Sequence, residues 1–246
     1  MTIAACYRCT EGVVLGSDST ATYFSPFGEP WHFNFAQKVF EIGENSTLGV
    51  VSWGLGGFKN VSYRTLFAQL ADEIGRSQSI KSVRTIAELW SQKYWNIYKD
   101  EFADPRKRCN ELASMTTRNR QEDEELYLLR VKGGVGFIIG GYVFDDRTPR
   151  AFQVTFDFES NNSQLPIEIG IHDPIFRGLP NFMDRVLKGM DNPLYEAIIN
   201  SGKWAGTRED LTQLVWNVSS IKLPPIPLRE AIDWIYSSIY ATTALS

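Results

Sequence analysis

The sequence is poor in the residues that build disulfide frameworks and zinc sites. It contains three cysteines, Cys6, Cys9 and Cys109, and two histidines, His32 and His172. An odd number of cysteines indicates free thiols rather than a paired framework. The C-x-x-C at its start lies on a strand-like segment before a turn, which is not the setting of a redox or zinc motif. Since neither histidine has a second ligand beside it, we expect no metal site.

Long apolar runs and an excess of basic charge are also missing. No run approaches the roughly 18 apolar residues of a membrane-spanning helix, and the first residues show no signal-peptide pattern. The chain has 25 Lys and Arg against 29 Asp and Glu, for a net charge of −4. Nucleic acids and anionic membranes both attract basic patches. We therefore expect a cytoplasmic protein that binds neither.

Motifs of several large enzyme classes are absent. There is no G-x-S-x-G, which disfavours a serine hydrolase with a nucleophile elbow. The stretch SGKWAG lacks the spacing of a phosphate-binding loop, and GLGG at 54–57 is not a dinucleotide fingerprint. The chemistry has to be sought in other residues.

Apolar residues are plentiful, and their pattern changes along the chain. A hydrophobic content of 43% over 246 residues allows one large domain with a sizeable core. Two strand-like runs, Ile3–Arg8 and Val13–Asp18, flank a short turn and predict a hairpin. AQKVFEIG and STLGVVSWG predict a second one. Between the hairpins, YFSPFGEPWHFNF is interpreted as a surface excursion that packs its aromatic rings.

Helical periodicity begins after residue 61. One apolar face runs from Leu66 to Ile74, and another follows Ser82, a good N-cap, to about Phe102. The charged residues 103–125 are expected to form a solvated loop or helix end. LYLLRV, GVGFIIGGYVF and AFQVTFDF predict a meander of strands, and three further helices are expected at Phe176–Lys188, Arg208–Val218 and Arg229–Ala244. Such blocks indicate an α+β fold with antiparallel sheets and helices outside them.

The first residues suggest a nucleophile. Removal of Met1 would place the α-amino group and the hydroxyl of Thr2 together at the edge of a sheet. A threonine hydroxyl is a poor nucleophile without an adjacent base. An N-terminal threonine supplies its own base, because an α-amino group has a pKa of about 7.7–8.0.

Asp18 and Lys38 complete this candidate site. Asp18 ends the strand that pairs with the Thr2 strand, and Lys38 opens the next strand-like run, so all three can meet at one end of a sheet. A lysine charge would lower the pKa of both the amine and the hydroxyl. The aspartate would hold that lysine in place. Alone, an aspartate or a lysine at a strand end is ordinarily a surface group; the combination is what indicates a site.

These segments resemble a proteasome β-type subunit of the N-terminal nucleophile hydrolase superfamily. In that family a strand beginning with the catalytic threonine pairs, through a turn ending in Gly-Val-Val, with a strand ending in Asp-Ser; the matching positions are Thr2, Gly12, Val13, Val14, Asp18 and Ser19. A later Lys-hydrophobic-Phe-x-Ile segment is matched by Lys38, Phe40 and Ile42. Gly54 best matches the glycine that supplies an oxyanion donor.

The resemblance implies a fold and a mechanism. The fold would be a four-layer αββα sandwich in a single domain over residues 1–246, in which the final strands of the family pattern have no counterpart. Thr2 would attack a peptide carbonyl, Lys38 held by Asp18 would tune it, and the N–H of Gly54 would stabilise the oxyanion. Neither metal nor organic cofactor is required. The pocket for the substrate side chain would be lined by Ala21, Ala36, Phe40 and Ser52.

The resemblance also implies partners, and it leaves alternatives open. The substrate would be a peptide or an unfolded protein, and copies of the chain would assemble into a ring or stacked homo-oligomer. An ATPase partner cannot be identified from the sequence. One alternative is a catalytically silent shell subunit. The other is an amidase that acts on a small molecule with the same nucleophile.

Overall fold

The computed structural model describes residues 2–24, 30–77, 80–178, 181–219 and 224–244. The strands in these ranges are β1 (Ile3–Arg8), β2 (Val13–Ser17), β3 (Ala21–Phe24), β4 (Pro30–Phe33), β5 (Val39–Glu41), β6 (Leu48–Gly54), β7 (Val135–Gly141), β8 (Arg150–Phe156), β9 (Ile167–Glu168) and β10 (Ile175–Gly178). The helices are α1 (Tyr63–Arg76), α2 (Val83–Glu101), α3 (Ala103–Ser114), α4 (Arg120–Gly133), α5 (Asn181–Lys188), α6 (Asn192–Asn200), α7 (Arg208–Ser219) and α8 (Leu228–Ala244).

The strands form two antiparallel sheets and a separate hairpin. One sheet has the order β10-β1-β2, and the other has the order β5-β6-β7-β8-β9. The hairpin pairs β3 with β4. Together with the helices, the sheets make a mixed α+β architecture that is compatible with an α+β sandwich.

The two sheets meet in a core of small and branched side chains. That core contains Ala4, Cys6, Val51, Ile138, Ala151 and Ile169. Small residues on facing strands let the sheets approach closely, as at Gly140, where an added methyl group would lie 2.7 Å from Val13 Cγ1. The alternation of side chains along each strand sends the neighbouring residues to the opposite faces.

Helices cover those opposite faces. The face of the five-stranded sheet away from the other sheet packs on α1 to α4 through an aromatic core. In this core the Phe67 ring stacks on Trp90 with centroids 4.4 Å apart, and Phe137 and Trp90 pack edge-to-face with centroids 5.0 Å apart. The three-stranded sheet packs on α5 and α8, with Ile3 and Tyr7 against Ile235 and its neighbours. The helix α2 begins where the sequence predicts, after the cap Ser82, and α1 begins after Ser62, a cap that was not predicted. Each serine hydroxyl accepts the backbone N–H three residues on at 3.1 Å.

Three predictions of secondary structure are wrong. Residues 103–125 are mostly helical, in α3 and the start of α4, and LYLLRV continues α4 rather than forming a strand. These two helices bury little apolar surface, so their period is hard to see in the sequence. Phe176 belongs to β10, and the helix predicted from it starts at Asn181. The helix α6, capped by Asp191, was not predicted.

The excursion between the two hairpins is at the surface, but part of its aromatic content faces solvent. Residues 25–29 lie outside the described part of the chain. Within the rest, Trp31 is 56% exposed and Phe35 is 93% exposed. The expected packing of the rings is therefore wrong for these two. Separately, no helix in the described ranges is long and apolar enough to cross a membrane.

Candidate active site

The pairing of β1 with β2 brings Thr2 and Asp18 to the same end of the three-stranded sheet. In this antiparallel ladder Ala4 lies opposite Ser17, and the Asp18 N–H donates to the Ile3 carbonyl at 3.2 Å. The Ile3 N–H in turn donates to Asp18 Oδ1 at 2.7 Å. The Asp18 carboxylate is therefore bonded to the peptide unit that follows Thr2.

Lys38 reaches this carboxylate from the other sheet. It directly precedes β5, and its Nζ donates to Thr2 Oγ1 at 3.1 Å, to Asp18 Oδ1 at 2.8 Å and to the Thr20 carbonyl at 2.6 Å. An ammonium group has three protons, so these three acceptors use all of its donor capacity. The side chains of Lys38 and Asp18 are 10% and 6% exposed. The geometry thus fixes the ammonium group against the Thr2 hydroxyl.

Burial controls the ionisation of Lys38. Removal from water lowers the pKa of its ammonium group below the ordinary 10.5, and the hydrogen bond and charge of Asp18 oppose this shift. Asp18 Oδ2 accepts a further bond from the Thr20 N–H at 3.0 Å, which fixes the turn after β2. A partly desolvated cation beside a hydroxyl favours loss of the hydroxyl proton, because it stabilises the resulting oxygen anion. The Thr2 hydroxyl therefore lies where it can be activated.

Gly54 is the last residue of β6, an interior strand of the five-stranded sheet, two residues beyond Ser52, which bonds to the Lys38 backbone. Its φ is +83°, and a methyl group there would overlap the Gly134 carbonyl, so the position requires glycine. The Ser52 N–H donates across to the Lys38 carbonyl at 2.9 Å, whereas the Leu55 N–H donates to Gly134 at 3.0 Å. Because successive N–H groups of a strand point to opposite neighbours, the Gly54 N–H points toward the β5 side of β6, as the Ser52 N–H does. It lies beyond the end of β5 that Lys38 precedes.

The four residues expected to line a pocket fall into two groups. Ser52 is buried beside the Lys38 backbone, the Ala36 N–H donates to the Ser19 carbonyl at 2.7 Å, and Ala21 begins β3 just after the site turn. All three residues therefore belong to segments that adjoin Lys38 in the chain or are hydrogen-bonded to it. Phe40 differs, because its ring lies 5.1 Å from that of Phe67 in the core beneath the helices. The structure does not bring the Phe40 ring to Thr2.

Sequence reasoning missed two residues of this site, Thr20 and Gly178. Thr20 contributes its backbone carbonyl and N–H, which any residue carries, so its side chain gives no signal. Its place two residues after an aspartate is nevertheless typical of a turn in which the carboxylate accepts that N–H. Gly178 is the last residue of β10 and lies opposite Ile3 of β1, although about 175 residues separate the two in the sequence. No local pattern predicts that pairing.

Comparisons with known proteins leave the site to be interpreted from its own chemistry. No protein-family model matches the chain, and a search of curated proteins finds no match either. Among the side chains that the structure describes, no group of three or more His, Cys, Asp and Glu is arranged to hold a metal ion.

Proposed function

We propose that this chain is a proteasome-like threonine peptidase of the N-terminal nucleophile hydrolase superfamily, whose nucleophile Thr2 is exposed by removal of Met1. The observation that carries the proposal is the Lys38 ammonium group, which is buried and bonded at once to Thr2 Oγ1 and Asp18. Met1 lies outside the described residues. The succession of cores, from helices through two facing sheets to helices, supports a four-layer αββα sandwich.

The proposed reaction begins with the Thr2 hydroxyl. Its proton passes to the Thr2 amine, directly or through a water, and the oxygen attacks the carbonyl carbon of a peptide bond. The charge on Lys38 favours both the neutral amine and the oxygen nucleophile. When the tetrahedral intermediate collapses, the C–N bond breaks and the protonated amine returns its proton to the leaving group. Water then hydrolyses the ester on Thr2 by the same proton transfers in reverse.

The oxyanion of the tetrahedral intermediate needs a fixed hydrogen-bond donor. The Gly54 N–H is the candidate, since it points past the start of β5 on the Lys38 side of the sheet. Loss of one such donor typically raises the activation barrier by about 3–4 kcal/mol. Apart from the hydrolytic water, these steps use groups of the chain itself, and the mechanism requires no metal or organic cofactor.

The proposal extends to substrate and assembly. The substrate is a peptide or an unfolded protein, and Ala21, Ala36 and Ser52 lie on the segments that lead to the site, so small residues would surround a bound side chain. Phe40 is left out of this set, because its ring belongs to the core. We further propose that copies of the chain form a ring or stacked homo-oligomer in the cytoplasm.

The test is intact-mass spectrometry of the purified protein before and after incubation with a peptide epoxyketone. This reagent reacts with both the hydroxyl and the free amine of an N-terminal threonine. We expect loss of Met1 and one adduct per chain. Thr2→Ala should form no adduct and lose peptide hydrolysis by on the order of 10³-fold or more. Thr10→Ala, at an exposed threonine in the turn after β1, is the matched control and should behave as wild type.

Other results would favour the alternatives. A chain that keeps Met1, or that loses it and forms no adduct, contradicts the proposal and favours a silent shell subunit. Adduct formation with turnover of small amides but not of peptides, in a monomer or dimer by light scattering, favours the small-molecule amidase.

A further inference from the structure

The last residue of β10 lies against the proposed nucleophile. Gly178 is opposite Ile3 in the β1–β10 ladder and has a φ of +86°. A methyl group on Gly178 would overlap the carbonyl oxygen of Thr2 at a separation far below the 3.0 Å minimum of real Cβ contacts. The obstacle is backbone, which cannot rotate away as a flexible side chain does. Glycine is therefore required for β10 to approach Thr2.

The close approach of Gly178 to the Thr2 carbonyl constrains the position of the peptide unit that links Thr2 to Ile3. The carbonyl of Thr2 and the N–H of Ile3 belong to one rigid plane. That N–H donates to Asp18 Oδ1 at 2.7 Å, and the same oxygen accepts from Lys38 Nζ at 2.8 Å. A displacement of the Thr2 carbonyl therefore tilts the plane and moves the Thr2 side chain relative to Lys38.

Other glycines of the chain show that this constraint is specific to its location. Gly57 and Gly202 also have positive φ, but a methyl group on either would meet nothing within 4 Å. A methyl group on Gly54 would overlap the backbone carbonyl of Gly134, and one on Gly141 would overlap that of Thr47. These two carbonyls belong to the residues that directly precede β7 and β6. At Gly178 the obstacle is instead the backbone carbonyl of Thr2, the residue that carries the proposed nucleophile.

We propose that Gly178 is a positioning residue, which holds the Thr2–Ile3 peptide plane so that Thr2 Oγ1 stays within hydrogen-bond distance of Lys38 Nζ. The effect of Gly178 on catalysis rests on the proposed function, whereas its effect on the distance between Thr2 Oγ1 and Lys38 Nζ does not. In this role Gly178 acts through Thr2, whose backbone carbonyl it adjoins.

The test compares Gly178→Ala with Gly202→Ala in the full chain. Gly202→Ala is the matched control, because it also places alanine at a positive φ but its methyl group meets no other atom within 4 Å. Crystal structures give the distance between Lys38 Nζ and Thr2 Oγ1, and mass spectrometry gives the rate of epoxyketone adduct formation from pH 6 to 10. For Gly178→Ala we expect the distance to exceed 3.5 Å, the adduct rate to fall at least tenfold and its pH dependence to change. Gly202→Ala should keep the contact and stay within twofold of wild type.

The two proposals fail in different ways. If wild type forms no adduct, the proposed function fails, and the distance in Gly178→Ala alone decides the role of Gly178. A distance that stays near 3.1 Å, or an unchanged adduct rate where wild type reacts, overturns the inference. Gly178→Asn provides a second variant, since asparagine tolerates positive φ better than alanine. If neither variant folds, Gly178 is a requirement of the fold and the positioning role is rejected.

Discussion

Lys38 shows how much depends on a single residue. Its ammonium group bonds to three oxygens, those of the Thr2 hydroxyl, the Asp18 carboxylate and the Thr20 carbonyl. Thr2 directly precedes β1 and Asp18 directly follows β2, both in the three-stranded sheet, whereas Lys38 directly precedes β5 of the five-stranded sheet. The same residue thus links the two sheets and holds its ammonium group against the Thr2 hydroxyl.

The pH dependence of Thr2 reactivity tests the ionisation of Lys38. We expect the epoxyketone adduct rate to rise as the Thr2 amine loses its proton and to fall as Lys38 loses its own. Because burial lowers the pKa of Lys38, the falling limb should have its midpoint below 10.5. The measurement is the adduct rate against pH by mass spectrometry, with circular dichroism to show that the fold persists. A rate that stays on its plateau through pH 10.5 would contradict this prediction.

Asp18→Asn provides a companion to that profile. The Asp18 carboxylate raises the pKa of Lys38 through its hydrogen bond and its charge, in opposition to burial. Replacement by the neutral amide removes most of that opposition while it keeps the shape of the side chain. The falling limb should therefore move to lower pH than in wild type. A limb that moves to higher pH would show that Asp18 does not support the charge on Lys38.

At the scale of elements, the spacing between the two sheets depends on small residues. Gly140 of β7 faces Val13, and Ala4 of β1 and Ala151 of β8 are fully buried in the same layer. Large side chains at these positions would separate the sheets. Since Lys38 and Thr2 belong to different sheets, that separation also bears on the site.

Gly140→Ala should therefore destabilise the protein by about 1–3 kcal/mol, the usual cost of an overpacked core. Its methyl group would lie 2.7 Å from Val13 Cγ1. The contrasting variant is Gly75→Ala in α1, where a methyl group meets nothing within 4 Å. In a helix this change should raise the free energy of unfolding by up to about 1 kcal/mol. Urea denaturation measures both, and equal stability of the two variants would contradict the argument.

At the scale of the whole molecule, one hydroxyl connects distant parts of the chain. Tyr7 of β1 is fully buried, and its hydroxyl lies 3.0 Å from His172 Nδ1, in the loop before β10. The same hydroxyl accepts the Ile226 N–H at 3.2 Å, just before α8. The Tyr7 ring also packs edge-to-face with the Trp234 ring in α8, with centroids 6.3 Å apart. This contact ties the outer helix to the central strand that begins beside Thr2.

Tyr7→Phe should lower the free energy of unfolding by about 1–3 kcal/mol, because it leaves the Ile226 N–H without its partner in a partly buried place. Tyr236→Phe, at a tyrosine of α8 that is 71% exposed, is the control and should change stability little. Chemical denaturation followed by tryptophan fluorescence compares them. Wild-type stability in Tyr7→Phe would show that water replaces the lost hydroxyl without cost.

The sequence by itself determined the parts of the molecule that depend on near neighbours. The hairpin of β1 and β2, the pair β5 and β6, and the helices α1 and α2 follow from alternation, short turns and serine caps. Because β1 and β2 pair through a turn, the approach of Asp18 to Thr2 was also predictable. The charged helices α3 and α4 were missed, since their few buried residues, Cys109 and Leu112 among them, leave only a weak period.

Only the tertiary structure decided how distant segments meet. It placed β10 beside β1, with Gly178 against Thr2, and it sent the Phe40 ring into the core under α1 rather than toward the site. A strand pattern specifies that alternate side chains face alternate sides, but not which strand lies alongside or which layer covers each side. Those choices come from burying all of the apolar faces at once, which no short stretch of sequence contains.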